Sequence, residues 1–277
     1  MTTLYPLKEF KMPVMAECII PDIFQDLTNK EIKKLEVWEG NKRKKLGDLF
    51  KIKTVKETKS KSQNEKNTIL INGDVSRVRR IGANMSHGVI NIQGDVGNHL
   101  GEEMAGGRIM VKGNVGGWAG SMMIGGEIEI QGNTGDYLGS PYRGLAEGMR
   151  GGEITIHGNT GNEAGTYMQK GLIKIYGNAG EFTGLGLHKG TIYIKKDCEG
   201  RAGPRMTGGK IIVEGVLNSV LPSFSIETIK TKVKISKDEA VKGPFYTFQG
   251  DINENGTGKL HVSKENNPHL KRYEKFL

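Results

Sequence analysis

Between Ile69 and Gly215 the chain repeats one short pattern, and the period of that pattern constrains the fold more than any other feature. Taking the position that closes each I-x-I-x-G-N unit as a marker gives Gly73, Gly94, Gly113, Gly132, Gly158, Gly177, Lys196 and Gly215. The steps are 21, 19, 19, 26, 19, 19 and 19 residues, and the extra residues of the long step fall in PYRGLAEGM, Pro141 to Met149. Ahead of each marker stand two β-branched residues at i and i+2, from Ile69/Ile71 to Ile211/Val213. Such alternation reads as short, half-buried strand. Behind it comes G-x-x-M, which aligns Met85, Met104, Met123, Met149, Met168 and Met206, with Leu187 in the same slot. One apolar residue per repeat in one slot is what a stacked core requires, so the methionines are read as core and not as soft-metal ligands.

Of 41 glycines, 33 lie between Gly88 and Gly215, so the glycine belongs to the repeat. Glycine at that density opposes a helix at about 1 kcal/mol each. It suits strands joined by corners where Gly or Asn takes positive φ, and the GN and GD pairs are read as those corners. Each strand then pairs with its equivalent one turn away, and parallel strands prefer right-handed crossings. The expected fold is all-β: a right-handed parallel β-helix (solenoid) of about seven coils with a 19-residue period, capped by small non-repeat segments. Its boundaries are an N-terminal capping segment 1–67, the β-helix 68–216 and a C-terminal β extension 217–277. The first segment reads as a helix near Lys30 to Leu35, then a strand and a lysine-rich turn. In the last, ETIKTKVKIS and PFYTFQGDI read as strands, with NENGTGKLHVS supplying a hairpin turn and a partner strand.

The formal charge is +9, and Lys42, Arg43, Lys44, Lys45, Lys51, Lys53, Lys56, Lys59, Lys61 and Lys66 concentrate it near the N-terminus. No nucleic-acid module accompanies them, so they read as a solvated face or a docking surface for an acidic protein. Two cysteines, Cys18 and Cys198, are too few for a disulfide framework or a four-thiolate cluster and fit a reduced, cytoplasmic setting. No apolar run approaches the roughly 18 residues of a membrane span. His87, His99, His157, His188, His261 and His269 show no metal-ligand spacing and read as surface or loop residues. The glycine pairs are followed by no helix, which excludes a phosphate-binding loop. No catalytic, cofactor-binding or metal residue is therefore expected in this chain. Two features remain as a candidate partner interface: Arg77, Arg79 and Arg80 in DVSRVRRIGANM, and Tyr142 with Arg143 at the tip of SPYRGLAEGM.

The pattern GGxIxIxGNxGxxxGxxM, as in Gly152 to Met168, resembles the GXGXG repeat shared by the C-terminal part of the glutamate synthase large subunit and by the C subunit of formylmethanofuran dehydrogenase. The VRRIGANM turn, the SPYRGLAEGM insertion and the GPFYTFQGDINENGTGKLHV tail resemble the second of these, and the likeness covers nearly the whole chain. It implies a non-catalytic structural subunit of a cytoplasmic archaeal complex that reduces carbon dioxide and attaches the formyl group to methanofuran, the first step of methanogenesis from CO2. The implied partners are a molybdopterin subunit with tungsten or molybdenum and iron-sulfur clusters, an amidohydrolase-like subunit with a dinuclear metal site, and ferredoxin-like subunits. The alternative is a glutamate synthase-like subunit linking domains of a nitrogen-metabolism enzyme. A hexapeptide-type acyltransferase is disfavoured by the 19-residue period.

Overall fold

The computed structural model describes residues 1–54 and 67–277. Lys56, Lys59, Lys61 and Lys66 lie outside the described residues. The N-terminal segment contributes β1 (Thr2–Pro6), β2 (Val14–Met15), the single-turn helices α1 (Pro21–Phe24) and α2 (Asn29–Ile32), β3 (Glu36–Glu39), β4 (Lys42–Lys45), α3 (Leu46–Leu49) and β5 (Phe50–Thr54). The helix expected near Lys30 to Leu35 is α2, set by a capping box between Thr28 and Glu31. The lysine-rich turn is instead the strand β4.

The repeats supply β6 (Thr68–Ile71), β7 (Val78–Arg79), β8 (Val89–Ile92), β9 (Arg108–Val111), β10 (Glu127–Ile130), β11 (Glu153–Ile156), β12 (Leu172–Ile175), β13 (Thr191–Ile194) and β14 (Lys210–Val213). The tail adds β15 (Ser225–Lys234), β16 (Ala240–Gly250) and β17 (Gly258–Ser263), in the places its sequence indicated.

The expectation of a right-handed β-helix of seven coils is corrected by the topology. The observed unit is one mostly parallel, 13-stranded sheet in the order β15-β16-β17-β14-β13-β12-β11-β10-β9-β8-β6-β1-β5, beside a 4-stranded sheet, β4-β3-β2-β7. The physical reason lies in how the period is spent. Each repeat holds one pair of β-branched residues and hence one true strand; the rest is glycine, Asx and turn residues. Apart from β7, which pairs with β2, those stretches reach no further than single bridges, such as Val75↔Val96↔Val115↔Thr134 and Ala179↔Cys198↔Leu217. Both termini extend the same sheet: β1 pairs with β6, and β17 with β14.

Within the repeats equivalent residues pair, as in Ile109↔Ile128↔Ile154↔Ile173. The inward isoleucines and the methionine column, Leu187 included, are fully buried, so every repeat adds a layer to one continuous core. A second, smaller core of Tyr193, Ile212, Val233, Ile235 and Phe245 forms where the β15–β16 hairpin packs on the outward side chains of β13 and β14.

The GN pairs do not make the left-handed corners. Their asparagines and aspartates form a ladder in which each side-chain oxygen accepts the backbone N–H of its counterpart in the next repeat, as in Asn133 to Asn114 at 2.9 Å and Asn159 to Asn133 at 2.8 Å. Gly113 is required by close approach, since a Cβ there would stand 2.3 Å from the Asp95 carboxylate oxygen. Positive φ recurs instead on the glycine of G-x-x-M, on the residue two before it and on the second glycine of GG pairs such as Gly126 and Gly152.

His261 departs from the surface or loop setting expected of it. It lies in β17, 4% exposed, with Nδ1 3.0 Å from the Thr247 hydroxyl, and burial, reinforced by Lys230, Lys210 and Lys259, lowers its pKa to about 4. A histidine depressed in the folded state contributes full stability above about pH 6.5, which is lost as the pH falls towards 4 because only the unfolded chain takes up the proton. Acidification over that window should cost about 3 kcal/mol through this residue. His261→Gln should flatten the pH dependence of unfolding between pH 6.5 and 4; an unchanged slope would show that His261 already titrates normally.

Candidate partner-binding face

The left-handed residue two before each G-x-x-M glycine is Arg80, His99, Trp118, Tyr137, Glu163, Phe182 or Arg201, with φ between 58 and 66°. Non-glycine residues in this region carry strain. At five of the seven positions, Arg80 to Glu163, the conformation is held because the residue's own N–H donates to the next repeat: His99 to the Gly117 carbonyl at 3.0 Å, Trp118 to Asp136 at 2.9 Å, Tyr137 to Asn162 at 2.8 Å. The consequence is a column of side chains along one edge of the repeats, half-buried except for the exposed Arg201. Trp118 stacks on Tyr137 with centroids 4.4 Å apart, His99 on Trp118 at 5.3 Å, and Arg201 covers Phe182 at 4.4 Å. The Trp118 indole N–H is buried with no hydrogen-bond partner among the described residues.

At the start of this column lies a buried carboxylate. Glu102, with its side chain 2% exposed, accepts two hydrogen bonds from Arg80, Nε at 2.9 Å and Nη2 at 3.0 Å, and one from the Tyr142 hydroxyl at 2.5 Å. Arg80 also pairs with Glu17 at 2.6 Å, tying the N-terminal segment to the repeats. Burial first, and then the bond to Glu102, push the Tyr142 phenol up to about 12, so it remains a donor. Burial lowers the His99 pKa despite the pull of Glu102, with Arg80 and Arg79 acting in the same direction as burial.

Two of the five interface candidates are thus brought together, though 62 residues apart in sequence. Arg80 and Tyr142 meet on Glu102 and are structural. Tyr142 is not at an exposed tip, because it folds back over His99 at 5.4 Å. Arg143 is exposed, and its guanidinium reaches the Tyr137 hydroxyl at 2.9 Å. Beyond it Leu145 is 51% exposed, roofing a cavity of about 200 Å³ with Tyr137, Glu163, Tyr167 and Leu185. Arg77 is exposed and Arg79 half-buried; their carbonyls accept from Val14 and Ala16, so their backbone holds β2 in place. The sequence reading missed the column. Its signal was present in register, as the residue two before each G-x-x-M glycine, but six different residue types occupy the seven positions and hide it.

Among the described residues no group of three or more His, Cys, Asp or Glu side chains could hold a metal ion, and no helix is long and apolar enough to cross a membrane. Cys18 and Cys198 are both raised to about 12 by burial, far from a reactive thiolate. The face offers stacked aromatics, guanidinium groups and a projecting loop, which are the components of a protein interface.

The C subunit of the tungsten-containing formylmethanofuran dehydrogenase 2 of Methanococcus maripaludis is 50% identical over 268 residues, which span 95% of this chain and 96% of that one. The C subunit of the molybdenum-containing formylmethanofuran dehydrogenase 1 of Methanothermobacter marburgensis is 42% identical over 97 residues, 35% of this chain and 22% of its own length. A chain in the crystal structure of the formyltransferase/hydrolase complex FhcABCD from Methylorubrum extorquens, in complex with methylofuran, superposes with a TM-score of 0.81 at 27% identity, covering 94% of this chain and 99% of that one. No protein-family model matches the sequence. Identity of one half, sustained from end to end, decides between the two families that share the repeat: this chain belongs to the C-subunit family of formylmethanofuran dehydrogenases.

Proposed function

We propose that the chain is the non-catalytic structural subunit of a cytoplasmic formylmethanofuran dehydrogenase, holding the CO2-reducing tungsten- or molybdenum-pterin subunit and the amidohydrolase-like formyl-transferring subunit in fixed relation. The observation that carries this reading is the 50% identity to a C subunit of that enzyme over nearly the whole of both chains. The architecture supports it. A sheet whose strands repeat in register is stiff along its length, and its stability comes from neighbour contacts that leave long faces free for partners.

Isolation from native cells under non-denaturing conditions should recover the metal-bearing subunits together with formylmethanofuran oxidation, while the recombinant chain alone should be inactive. A solitary protein, or one travelling with amidotransferase or flavin subunits, would overturn the assignment.

Within this reading the docking surface is the insertion tip, Arg143 to Glu147, with Arg77 beside the turn that opens the repeats; Arg80 and Tyr142 support it from beneath. Arg143→Ala combined with Leu145→Asp should weaken subunit association at least tenfold, the loss of a well-packed interface anchor. Unfolding of the variant should match the parent, because both side chains are exposed. Unchanged affinity would remove the tip from the interface.

A further inference from the structure

Beside the second core, where the β15–β16 hairpin crosses β14 and β17, a cleft of about 480 Å³ opens. It is lined by Lys210, Lys230, Lys232, Lys234, Lys259 and His261. Five lysines therefore line one small volume. The only carboxylate paired with any of them among the described residues is Glu227, 2.8 Å from Lys259, which also donates to Gln249 at 2.9 Å. Lys210 donates to the backbone carbonyl of Lys234, and Lys230, Lys232 and Lys234 carry no ion pair among the described residues.

Such clustering of like charge is unfavourable by itself. Burial, together with Lys234 and Lys230, holds the Lys210 ammonium below its ordinary pKa, and the imidazole of His261 stays neutral beneath the lysines. A simpler purpose accounts for part of the arrangement. β15 is the edge of the large sheet, and lysines along an edge discourage pairing with another chain. Edge protection does not account for Lys210 and Lys259. These stand on the interior strands β14 and β17 and line the same space.

We propose that this cleft is a binding site for a small polyanion, a molecule carrying two or more phosphate or carboxylate groups, held by Lys210, Lys230, Lys234 and Lys259. Lysine suits the task as a compact point charge whose flexible stem can follow the anion. A bound polyanion would replace mutual repulsion with attraction at each ammonium, so binding and folding stability are coupled. The site spans β14, β15 and β17 and does not depend on the scaffold reading.

The test is calorimetric titration of the full-length chain with pyrophosphate and, separately, with citrate at low ionic strength. The parent is compared with Lys230→Gln/Lys234→Gln and with a control, Lys42→Gln/Lys44→Gln, on the equally basic strand β4. The expected result is saturable one-site binding of at least one probe, weakened tenfold or more in the cleft variant and unchanged in the control. Tighter binding of pyrophosphate would identify a phosphate ligand, tighter binding of citrate a polycarboxylate. Without ligand the cleft variant should unfold at a higher temperature than the parent, a readout that edge protection alone would not move. Absence of saturable binding by either probe, full retention in the cleft variant, or equal loss in both double variants would overturn the proposal.

Discussion

Gly126→Ala is expected to destabilise the chain by about 2–5 kcal/mol, combining the strain of a left-handed alanine with the overpacking of a tight core. Gly126 has φ +85°, and a Cβ there would lie 2.7 Å from the Gly107 carbonyl oxygen and 2.7 Å from the Met104 methyl. That oxygen is also the acceptor for the Glu127 N–H at 3.0 Å, the bond that begins the β9–β10 pairing. The clash cannot be relieved by a side-chain rotation alone, since the nearest atom belongs to the backbone of the preceding repeat. Urea unfolding read by far-UV circular dichroism measures the effect. The comparison is Gly144→Ala in the insertion, where φ is +90° but nothing lies within 4 Å of the added methyl, so only the conformational cost of about 1 kcal/mol remains. Equal losses at the two positions would show that close stacking between repeats does not limit residue 126.

Arg80→Ala should cost about 3 kcal/mol, because it leaves the Glu102 carboxylate buried without its bidentate partner. Arg77→Ala, three residues earlier and exposed, should stay within about 0.5 kcal/mol of the parent. Tyr142→Phe removes a single hydrogen bond to the same carboxylate and should fall between them, at about 1–2 kcal/mol. Because Arg80 and Tyr142 share Glu102, the double variant should depart from the sum of the single effects. If Arg80→Ala were no worse than Arg77→Ala, Glu102 would not depend on Arg80 and the anchoring of the insertion would need another explanation. The expected loss also reaches function under the scaffold reading. An insertion freed from Glu102 no longer presents Arg143 and Leu145 in one place, and subunit association should weaken together with stability.

Much of the fold was legible from alternation. The paired β-branched residues located β6 and β8 to β14, and the G-x-x-M slot located the buried methionine column, because both signals repeat in register with little variation. The closure of the repeats was not legible. Periodicity reports that equivalent residues stack, but not how much of each period lies in strand, and the stretches between strands proved to join one another only through single bridges. The role of the GN pairs was misassigned for a related reason. Asparagine favours both left-handed corners and side-chain ladders, and the choice between them depends on how near the next repeat lies. For the candidate face, Arg80 and Tyr142 were singled out by residue type, yet their common partner Glu102 carries no sequence signal. Its burial arises only when repeats 19 residues apart bring Arg80, His99 and the insertion around it.

By itself the sequence determined the period, the identity of the core residues and the family, since each of these is carried by residue type and spacing. The tertiary structure alone decided that both termini extend the repeat sheet, that seven residues of six types form one column, and that lysines from three strands line one cleft. The physical reason is the same in each case. These features depend on distances between segments far apart in the chain, and such distances are set by how the layers pack, not by the pattern within any one of them.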